Sequence, residues 1–423
     1  MTNVLVVGNG AREHALCYAL RQSPGLGTLR CVPGNAGTAT LAQNVTASLE
    51  DVEQLVRVAR EGQTGLVVVG PEAPLAAGLA DALREYGIPT FGPDAAAAKI
   101  EASKAWAKEL MRGIGVPTAR AVTVTSRAAA RTAVEQVGFP AVLKADGLAA
   151  GKGVTVALDR AEAEAALDEL FVRRTLGSAS DVVVVEEYLE GRELSVLALC
   201  DGARLAILPP ARDYKAALEG GLGPNTGGMG AYSRPGFATP GLLARVRVEI
   251  LEPVVRELAR RGTPFVGALY AGLMVTPSGP KVIEFNCRFG DPETQVILPL
   301  LESDLLEALT AVAHGTLDPG TLRWSDDVAC GVVVASGGYP GAYATGLPID
   351  GLQDVPDDVL VFHAGTRQRE DGAVVTAGGR VLTVVGRGAT LADARERAQA
   401  GAAAISFAGA RFRSDIGDED VPK

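Results

Sequence analysis

The segment VIEFNCRFGDPETQ (282–295) holds residues whose types and spacing point directly to chemistry. Its first residues read as an apolar strand, and strand alternation places Glu284 and Asn286 on one face with Phe285 on the other. A carboxylate and an amide oxygen are hard ligands that suit Mg²⁺, which completes its shell with phosphates and water. We therefore predict that Glu284 and Asn286 bind a divalent cation, Mg²⁺ or Mn²⁺.

Charged residues crowd the turn that directly follows this strand. Arg288, Asp291 and Glu293 lie there together with Gly290 and Pro292. A purely structural turn rarely gathers so many charges behind a hydrophobic strand. We therefore interpret the turn as functional and take Arg288 and Asp291 as candidate catalytic residues.

The segment VLKADGLAAGKGV (142–154) is a candidate phosphate-binding loop. Lys144 ends a predicted strand and Lys152 lies in the loop, although only eight of the 40 basic residues are lysines. An ordinary hairpin would not need two of them. The segment is not a Walker A loop, because no Ser or Thr follows Lys152. Glycines let backbone N–H groups close over phosphates, and this loop has three: Gly147, Gly151 and Gly153.

The segment VVVVEEYLEGREL (182–194) reads as a buried strand that leads into an acidic turn. In a nucleotide site, the backbone after such a strand can contact the edge of adenine, and Glu187 or Glu193 can hold ribose hydroxyls. An ordinary solvated strand end is an equally good interpretation of these residues.

The span PPARDYKAALEGGLGPNTGGMGAYS (209–233) is rich in glycine and carries Asp213 and Lys215 near its start. We expect a long loop without regular secondary structure, and such loops are usually functional or disordered. The NTGGMG stretch has enough glycine to wrap closely around a small ligand.

The N-terminal GNGAREHA (8–15) reads as a strand end, a glycine turn and a helix start. A phosphate could bind there, since free N–H groups and the helix dipole favour anions; a plain structural turn is the alternative. A dinucleotide site would also need an acidic residue at the end of the second strand. That strand runs into VPGNAGT, which has none, so NAD binding is disfavoured. His14 is better interpreted as a packed or capping residue than as a catalyst.

The elements that must position these residues follow an α/β pattern. Short apolar runs alternate with helical patterns at the N-terminus, which predicts a parallel sheet with strands at 4–8, 28–33, 65–70 and 88–92. One long helix is predicted over 95–115. A compact block follows, with strands at 121–125, 140–146, 153–158 and 181–188 and helices at 126–137 and 160–173. A strand-rich region, a helix at 303–314, and a final α/β unit with a last helix over 391–407 complete the chain.

Composition narrows the class of protein. The chain has 423 residues, 47% of them hydrophobic, and a formal net charge of −10, which disfavours nonspecific nucleic-acid binding. It has no basic segment before an N-terminal apolar run and no membrane-length apolar stretch. Five scattered cysteines and three histidines argue against a zinc site and suit a reducing compartment. We expect a cytoplasmic protein with no membrane or nucleic-acid partner.

The motifs occur together, in the same order, in one known family. GNGAREHA, VPGNAGTA, VGPEAPL, LKADGLAAGKGV, GPNTGGMGAYS, LYAGLM, KVIEFNCRFGDPETQ and VFHAGT span nearly the whole chain. With them, the sequence resembles the phosphoribosylamine–glycine ligases (glycinamide ribonucleotide synthetases) of the ATP-grasp superfamily. It departs from the family pattern at Ala11, where glycine is common, and at Tyr214, where histidine is frequent. LYAGLMV also lacks the second acidic metal ligand that many ATP-grasp enzymes have, which leaves the number of metals open.

The resemblance implies a mixed α/β and α+β architecture. A Rossmann-like, pre-ATP-grasp domain (1–102) would be followed by an ATP-grasp core (103–300) with a mobile lid at about 120–190, and by a linker helix and a small C-terminal α/β domain (301–423). It also implies contacts to ATP, from Lys104, Lys144, Gly151, Lys152, Gly153, Glu186, Glu187, Tyr188, Leu189 and Glu193. The implied substrate contacts are Gly8, Asn9, Gly10, Gly34, Asn35, Gly37, Thr38, Asp213, Lys215, Asn225, Thr226 and Gly227.

The implied reaction joins glycine to 5-phosphoribosylamine with ATP, through glycyl phosphate, in purine synthesis. We expect Lys144 to act with Arg288 and Asp291 at the reacting groups, and the enzyme to be a monomer. Three other functions fit parts of the pattern: another ATP-grasp enzyme of purine synthesis, an NAD-dependent dehydrogenase, and a nucleotide-binding protein without catalysis. RFGDPETQ and NTGGMG argue against the first, and the missing acidic residue argues against the second. The third would not need the Glu284–Asn286 pair.

Overall fold

The N-terminal part of the computed structural model, which describes residues 1–148 and 153–421, is a five-stranded parallel sheet. The strands are β1 (Thr2–Gly8), β2 (Leu26–Pro33), β3 (Gln43–Asn44), β4 (Leu66–Val69) and β5 (Thr90–Phe91). The helices are α1 (Ala11–Leu20), α2 (Thr38–Leu41), α3 (Val52–Glu61), α4 (Glu72–Ala76), α5 (Leu79–Glu85) and α6 (Ala95–Ala102). The spatial order is β3-β2-β1-β4-β5. Leu5 and Val7 pack into one core and Val4 and Val6 into another, so β1 is buried on both faces. The predicted parallel sheet is confirmed.

The predicted long helix over 95–115 is wrong, because the segment forms two helices. The second is α7 (Lys104–Ile114), and the two meet at Ser103, whose backbone is extended (φ −135°, ψ 110°). The Ser103 hydroxyl accepts a hydrogen bond from Trp106 N at 3.1 Å and so acts as the N-cap of α7. Helical spacing of apolar residues continues across the break, and only the capping contact reveals it.

The described residues between 121 and 187 fold around a separate four-stranded antiparallel sheet, which we call the lid sheet. Its strands are β6 (Ala121–Val124), β7 (Ala141–Ala145), β8 (Val154–Ala157) and β9 (Val183–Glu187), and its helices are α8 (Arg127–Val137) and α9 (Arg160–Leu167). The spatial order is β6-β9-β7-β8. The lid sheet has a core of its own, in which Val124, Leu143 and Val185 are buried with α8 and α9. The predicted strands and helices of this block are present.

The remaining strands form mainly one long antiparallel sheet of nine strands, the central sheet. The strands from here on are β10 (Arg192–Asp201), β11 (Leu205–Ile207), β12 (Ala211–Asp213), β13 (Ala216–Leu218), β14 (Leu222–Asn225), β15 (Gly230–Ser233), β16 (Val266–Thr276), β17 (Gly279–Asn286), β18 (Val328–Ala335), β19 (Leu360–His363), β20 (Thr366–Gln368), β21 (Val374–Thr376) and β22 (Arg380–Gly388). The central sheet runs β17-β16-β10-β12-β15-β18-β22-β19, with β11 paired to β10. Because β15 pairs with β18, the sheet continues without a gap into the C-terminal part of the chain.

Five further helices accompany the central sheet: α10 (Pro240–Val246), α11 (Glu252–Arg260), α12 (Glu293–Ile297), α13 (Leu305–Ala313) and α14 (Leu391–Ala404). The last helix ends three residues before the predicted 407, since Ser406 pairs with Asp350 in extended conformation. No helix within residues 1–148 and 153–421 is long and apolar enough to cross a membrane.

The span 209–233 is not the structureless loop that its glycine content predicts. Strand β12 pairs with β10 and β15, and β13 and β14 form a hairpin. Glycine and proline are usually depleted in strands, so composition conceals these short elements. Their pairing holds Asp213, the last residue of β12, in a fixed position.

Replacing Ser103 with alanine should lower the free energy of unfolding by about 1–2 kcal/mol, because α7 loses its N-cap and Asp146 loses the hydroxyl that donates to its Oδ2 at 3.0 Å. Urea unfolding followed by circular dichroism would measure the change. Ser126→Ala is the matched control: Ser126 also caps a helix, α8, but its bond to Ala129 N is 3.3 Å long and exposed. An equal loss in the two variants would contradict the added role of the Ser103–Asp146 bond.

Candidate active site

A cleft of about 410 Å³ opens between the lid sheet, the central sheet and the helices α6 and α7, with single residues contributed by α1 and α4. Four residues of β17 and the turn after it line this cleft. They are the candidate metal ligands Glu284 and Asn286 and the candidate catalytic residues Arg288 and Asp291. Lys144 lines it from β7 of the lid sheet. The structure therefore brings together segments that are more than 100 residues apart in the chain.

Lys144 is buried at the junction of the lid sheet and the central sheet. Its Nζ lies 3.1 Å from Glu186 Oε1 and donates to Ile283 O at 3.0 Å. That carbonyl is available because the pairing of β16 with β17 shifts register at Ile283, forming a bulge. Glu186 Oε2 also lies 2.9 Å from Lys108 Nζ. One carboxylate thus holds two lysines, from β7 and from α7, at the inner end of the cleft.

The start of the glycine-rich loop is tied to the first turn of α7. Asp146 Oδ2 accepts a hydrogen bond from Ser103 Oγ and Asp146 Oδ1 one from Ala105 N, both at 3.0 Å. Lys104 Nζ donates to Gly147 O at 2.9 Å. Burial lowers the pKa of Lys104 from its ordinary value. Gly153 lines the cleft, whereas Gly151 and Lys152 lie outside the described residues.

The turn after β9 forms an apolar end of the cleft with polar groups at its edge. Tyr188 and Leu189 line it, and Tyr188 is 42% exposed. Glu187 accepts hydrogen bonds from Arg120 N and Arg120 Nε, which hold its pKa below its ordinary value although burial opposes this. Apolar side chains surround this end of the cleft: Met111, Leu148, Val156, Met274 and Ile283. The arrangement fits a planar aromatic base.

Glu284 and Asn286 line the cleft from β17, and Phe285 between them is buried in the hydrophobic core and also borders the cleft. Burial raises the pKa of Glu284, but Lys215, Lys144 and Lys104 together hold it below its ordinary value. Lys215 Nζ lies 3.6 Å from Glu284 Oε1. Glu284 is therefore an ionised oxygen donor at neutral pH.

The Asn286 amide presents its oxygen as the second donor. With its nitrogen turned toward acceptors, Nδ2 donates to Phe285 O at 3.0 Å and to Glu101 Oε1 at 3.2 Å, which places Oδ1 on the opposite side of the amide. Two oxygen ligands fit a cation that takes its other ligands from phosphates and water. No cluster of three or more His, Cys, Asp or Glu side chains with metal-ligand geometry occurs in residues 1–148 and 153–421.

Arg288 is held by two carboxylates that the sequence did not single out. Its Nε lies 3.1 Å from Glu72 Oε2 and its Nη2 lies 3.0 Å from Glu101 Oε1. Burial alone raises the pKa of Glu72, yet Arg288 and Arg12 lower it to about 2. Burial raises the pKa of Glu101. Glu72 belongs to the VGPEAPL motif, but nothing in that motif indicates an ion pair with Arg288, and Glu101 lies outside the motifs.

A second group of polar side chains surrounds Asp213 on the central sheet. Ser195 Oγ donates to Glu293 Oε1 at 2.8 Å and lies 3.0 Å from the Tyr270 hydroxyl. Burial, and then the neighbouring Glu293, raise the pKa of Asp213 well above its ordinary value. Lys215 Nζ lies 3.4 Å from Glu193 Oε2. Asp213, Lys215 and Glu193 are candidate binding residues from the sequence and Glu293 belongs to the turn interpreted as functional, whereas Tyr270 was assigned no role.

The NTGG stretch and the turn after β17 are joined by Arg380 at the start of β22. Arg380 Nη1 donates to Gly227 O at 2.5 Å and to Asp291 O at 2.9 Å, and lies 3.2 Å from Asp291 Oδ1. Asn225, Thr226 and Gly227 line the cleft beside it. The C-terminal part of the chain thus contributes a cation to the cleft.

The predicted N-terminal substrate loops are ordered by contacts within the protein. Asn35 donates from Nδ2 to Asn9 O at 3.0 Å and to His363 O at 2.7 Å, and its Oδ1 accepts from Gly37 N and Thr38 N. The remaining members of the two loops are Gly8, Gly10 and Gly34. Gly10 N donates to Glu13 Oε2 at 2.6 Å, which caps α1. None of these loop residues lines the main cleft.

Arg12 and His14, which also belong to the GNGAREHA segment, lie apart from these two loops. Arg12 reaches the main cleft and donates from Nη1 to Phe289 O at 3.0 Å. His14 is buried, accepts a hydrogen bond from His363 N at 2.9 Å, and faces a second cavity of about 430 Å³ that Gly37 also lines. Burial lowers the pKa of His14 to about 3, so it is neutral at physiological pH. His14 is a packed residue, as predicted.

Three family models cover most of the chain. The N domain of phosphoribosylglycinamide synthetase matches residues 2–101, its ATP-grasp (A) domain residues 102–294, and its C domain residues 329–419. Curated relatives named phosphoribosylamine–glycine ligase include those of a Nostoc strain (51% identical over 421 residues) and Streptomyces coelicolor (51% over 419), each covering 98% of both chains. A trifunctional purine biosynthetic protein of Gallus gallus is 48% identical, with 98% of this chain matching 42% of that protein.

Solved structures agree with these relatives. The Thermotoga maritima phosphoribosylamine–glycine ligase superposes with a TM-score of 0.85 at 32% identity, over 98% of this chain and 100% of the other. A Campylobacter jejuni biotin carboxylase, at 14% identity and a TM-score of 0.73 over 98% and 94% of the chains, shares the fold alone. Fold and cleft define the chain as an ATP-grasp ligase. Within that class, it belongs to the phosphoribosylamine–glycine ligase (phosphoribosylglycinamide synthetase) family.

Replacing Glu72 with glutamine should reduce stability most at neutral pH. The folded-state pKa of about 2 lies below the ordinary 4.5, so ionised Glu72 stabilises the fold fully above about pH 4.5. That contribution, at most about 3 kcal/mol, is lost as the pH falls through the folded-state pKa. Thermal unfolding from pH 7 to pH 3 should show the two proteins converging on acidification. A difference that does not change with pH would contradict the pairing with Arg288.

Proposed function

We propose that the chain joins glycine to 5-phosphoribosylamine at the expense of ATP, giving glycinamide ribonucleotide, ADP and phosphate through glycyl phosphate. This is a carbon–nitrogen bond-forming step of de novo purine synthesis. One observation carries the proposal: Glu284 and Asn286 lie beside Lys104, Lys144 and Lys215 in a cleft between the lid sheet and the central sheet. This pairing of oxygen ligands with lysines suits γ-phosphoryl transfer.

ATP would lie along the inner side of the cleft. Its base fits the apolar end beside Tyr188 and Leu189, where the backbone after β9 and the carboxylates of Glu186, Glu187 and Glu193 offer polar contacts. Lys144 and Lys104 would contact phosphates, and the latter would exchange Gly147 O for a phosphate oxygen. The rest of the glycine-rich loop, with Gly151, Lys152 and Gly153, would cover the phosphate chain.

Glu284 and Asn286 would hold a divalent cation, Mg²⁺ or Mn²⁺, through their oxygens. When bound, the cation neutralises charge on the transferring phosphoryl group. The protein's own residues supply the rest of the positive field. Lys144 is fixed by Glu186 and the Ile283 carbonyl, and Arg288 by Glu72 and Glu101, so neither has to reorganise during the reaction.

The chemistry requires activation because a carboxylate would have to expel oxide as its leaving group. One glycine carboxylate oxygen attacks the γ-phosphorus and ADP departs, which leaves glycyl phosphate. The amine of phosphoribosylamine then attacks the carbonyl carbon, phosphate departs and the amine loses a proton. Asp291 has a lowered pKa, since Arg380 and Arg12 outweigh its burial, and as an ionised carboxylate it would accept a hydrogen bond from the attacking amine. A closed lid sheet would keep water from the acyl phosphate.

The ribose phosphate would lie toward the N-terminal loops that contain Gly8, Asn9 and Gly10 and the VPGNAGT segment (32–38). Arg12 is the residue of the first motif that reaches the cleft.

We also propose that the chain is divided into three domains at 1–102, 103–300 and 301–423, with the lid at about 120–190. The enzyme would be monomeric and cytoplasmic. Glycine-dependent release of ADP, with glycinamide ribonucleotide identified as product, tests the function. Release that depends on bicarbonate or formate instead would indicate another ATP-grasp activity.

Replacing Glu284 with alanine should lower kcat/KM about 100-fold or more, because the cation loses its carboxylate ligand. Steady-state kinetics over a range of Mg²⁺ concentrations would measure the loss, which should be greatest at limiting Mg²⁺. Glu249→Ala, which removes an exposed carboxylate paired with Arg245, is the control and should leave the rate unchanged. Activity of Glu284→Ala within about twofold of wild type would contradict the assignment.

Glycine labelled with ¹⁸O in its carboxylate should deliver one labelled oxygen to inorganic phosphate in each turnover. The oxygen that attacks the γ-phosphorus becomes the bridge of glycyl phosphate and leaves with phosphate when the amine attacks. Mass spectrometry of the released phosphate would detect it. Activation by adenylation would place the label in AMP and release pyrophosphate, which would exclude the proposed intermediate.

A further inference from the structure

Two successive backbone carbonyls of β17 accept hydrogen bonds from side chains outside the central sheet. Strand β17 is the end strand of that sheet and pairs there with β16. Away from this pairing, Thr118 Oγ1 donates to Val282 O at 2.6 Å, and Lys144 Nζ donates to Ile283 O at 3.0 Å. The strand is therefore held at the two residues that directly precede the candidate metal ligand Glu284.

One buried carboxylate joins the donors of these two hydrogen bonds. Glu186 Oε1 lies 3.1 Å from Lys144 Nζ, and Glu186 Oε2 lies 2.9 Å from Lys108 Nζ. Lys108 Nζ donates in turn to Thr118 Oγ1 at 2.7 Å. The contacts close into a ring that leaves β17 at one carbonyl and returns to it at the next. We call it the β17 ring, and its members are Val282, Ile283, Lys144, Glu186, Lys108 and Thr118.

Burial makes the β17 ring a firm support. The three charged members, Lys108, Lys144 and Glu186, are 8%, 4% and 3% exposed. Removing a buried ion from its partner costs several kcal/mol, so these side chains cannot exchange their contacts freely for water. The two carbonyls of β17 therefore stay where the ring holds them.

The place that the ring holds is the bulge of β17, and the bulge decides which way the candidate metal ligands face. The pairing with β16 passes from Val282 to Glu284 and skips Ile283, which is an extra residue. In a regular strand, residues two or four positions apart share a face. Val282 is fully buried in the core, so without the extra residue Glu284 and Asn286 would face that core too. With it, both line the cleft.

We propose that Lys108 and Thr118 are positioning residues that maintain the bulge of β17 and thereby the direction of its two candidate metal ligands. The assignment rests on the proposed function, which places a divalent cation at those ligands. Thr118 is not among the described residues that line the cleft, so its effect on a bound cation has to pass through β17. Lys108 borders the cleft, but its ammonium group is engaged by Glu186 and Thr118.

Replacing Thr118 with valine tests the ring at its neutral member, because valine keeps the shape of the side chain and lacks the hydroxyl. Electron paramagnetic resonance would measure the binding of Mn²⁺ in the presence of a non-hydrolysable ATP analogue. The affinity should fall about 3- to 10-fold, the effect of losing one hydrogen bond. Thr118→Ser keeps the hydroxyl and should bind Mn²⁺ within about twofold of wild type.

Replacing Lys108 with methionine tests the charged member. The Mn²⁺ affinity should fall at least as far as in Thr118→Val, because the variant breaks the ring and also leaves Glu186 without one of its two cations. Adding Thr118→Val to Lys108→Met should cause little further loss, since both substitutions open the same ring. Lys99→Met removes an exposed lysine of α6 outside the ring and is the control, with unchanged affinity expected.

The dependence of the rate on Mg²⁺ separates positioning from a loss of stability. In Thr118→Val, kcat/KM for ATP should fall most at limiting Mg²⁺, and kcat should largely recover at saturating Mg²⁺. The KM for glycine should not change. A variant that is merely less stable would lose the same fraction of activity at every Mg²⁺ concentration.

Each result supports or overturns the positioning role. Unchanged Mn²⁺ affinity in Thr118→Val would overturn it, as would equal weakening in Thr118→Val and Thr118→Ser or additive losses in the double variant. If Lys108→Met does not fold, the two Thr118 variants decide. Mn²⁺ binding requires no turnover, so a wild-type enzyme that binds Mn²⁺ but shows no glycine-dependent turnover would reject the proposed function, and the binding data would still decide the positioning role.

Discussion

The cleft depends on one physical constraint: charged side chains are buried close together and must remain paired. Glu284 keeps its charge because lysines from β7, α7 and the segment after β12 surround it. Transferring an ion out of water costs several kcal/mol unless opposite charges and hydrogen bonds compensate. Each partner comes from a different element. The lid sheet, α7 and the central sheet therefore have to be assembled correctly before the cost of burying these charges is compensated. The same assembly produces the positive field that phosphates require.

Glu186 shows how this constraint also connects parts of the molecule. Its two carboxylate oxygens contact Lys144 and Lys108, and Lys108 donates to Thr118 Oγ1, which donates to Val282 O. The chain of contacts runs from the lid sheet through α7 to β17, the strand that carries the candidate metal ligands. Burial lowers the pKa of Lys108 to about 8, although Glu186 opposes the change. These contacts connect the lid sheet directly to the strand that carries the candidate metal ligands.

Local sequence patterns predicted those parts of the site that lie within a single segment. Strand alternation was enough to place Glu284 and Asn286 on one face, and the unusual pair of lysines singled out Lys144. Glu101 and Arg380 were not predicted because each is an isolated charge in an ordinary helix or strand, and only the fold brings it to the cleft. Glu72 lies in the VGPEAPL motif, but nothing in that motif indicates its ion pair with Arg288. The break between α6 and α7 at Ser103 was not predicted, because the spacing of apolar residues is the same on both sides of it. The strands within 209–233 were not predicted, because their glycine content conceals the pairing of β12 with β10 and of β13 with β14, and because β15 pairs with β18, which is distant in the chain.

The continuity of the central sheet has a consequence for how the chain can be divided. Strand β15 lies between β12 and β18, so removing the C-terminal part would leave the backbone N–H and C=O groups of Ala231 and its neighbours open along one side. Such an open strand edge is a template for pairing with other chains and favours aggregation. Ala231 and Tyr232 are fully buried in the intact fold, which adds apolar surface to that edge. The C-terminal part thus protects the catalytic core from self-association, and a truncated core would be a poor candidate for an autonomous enzyme.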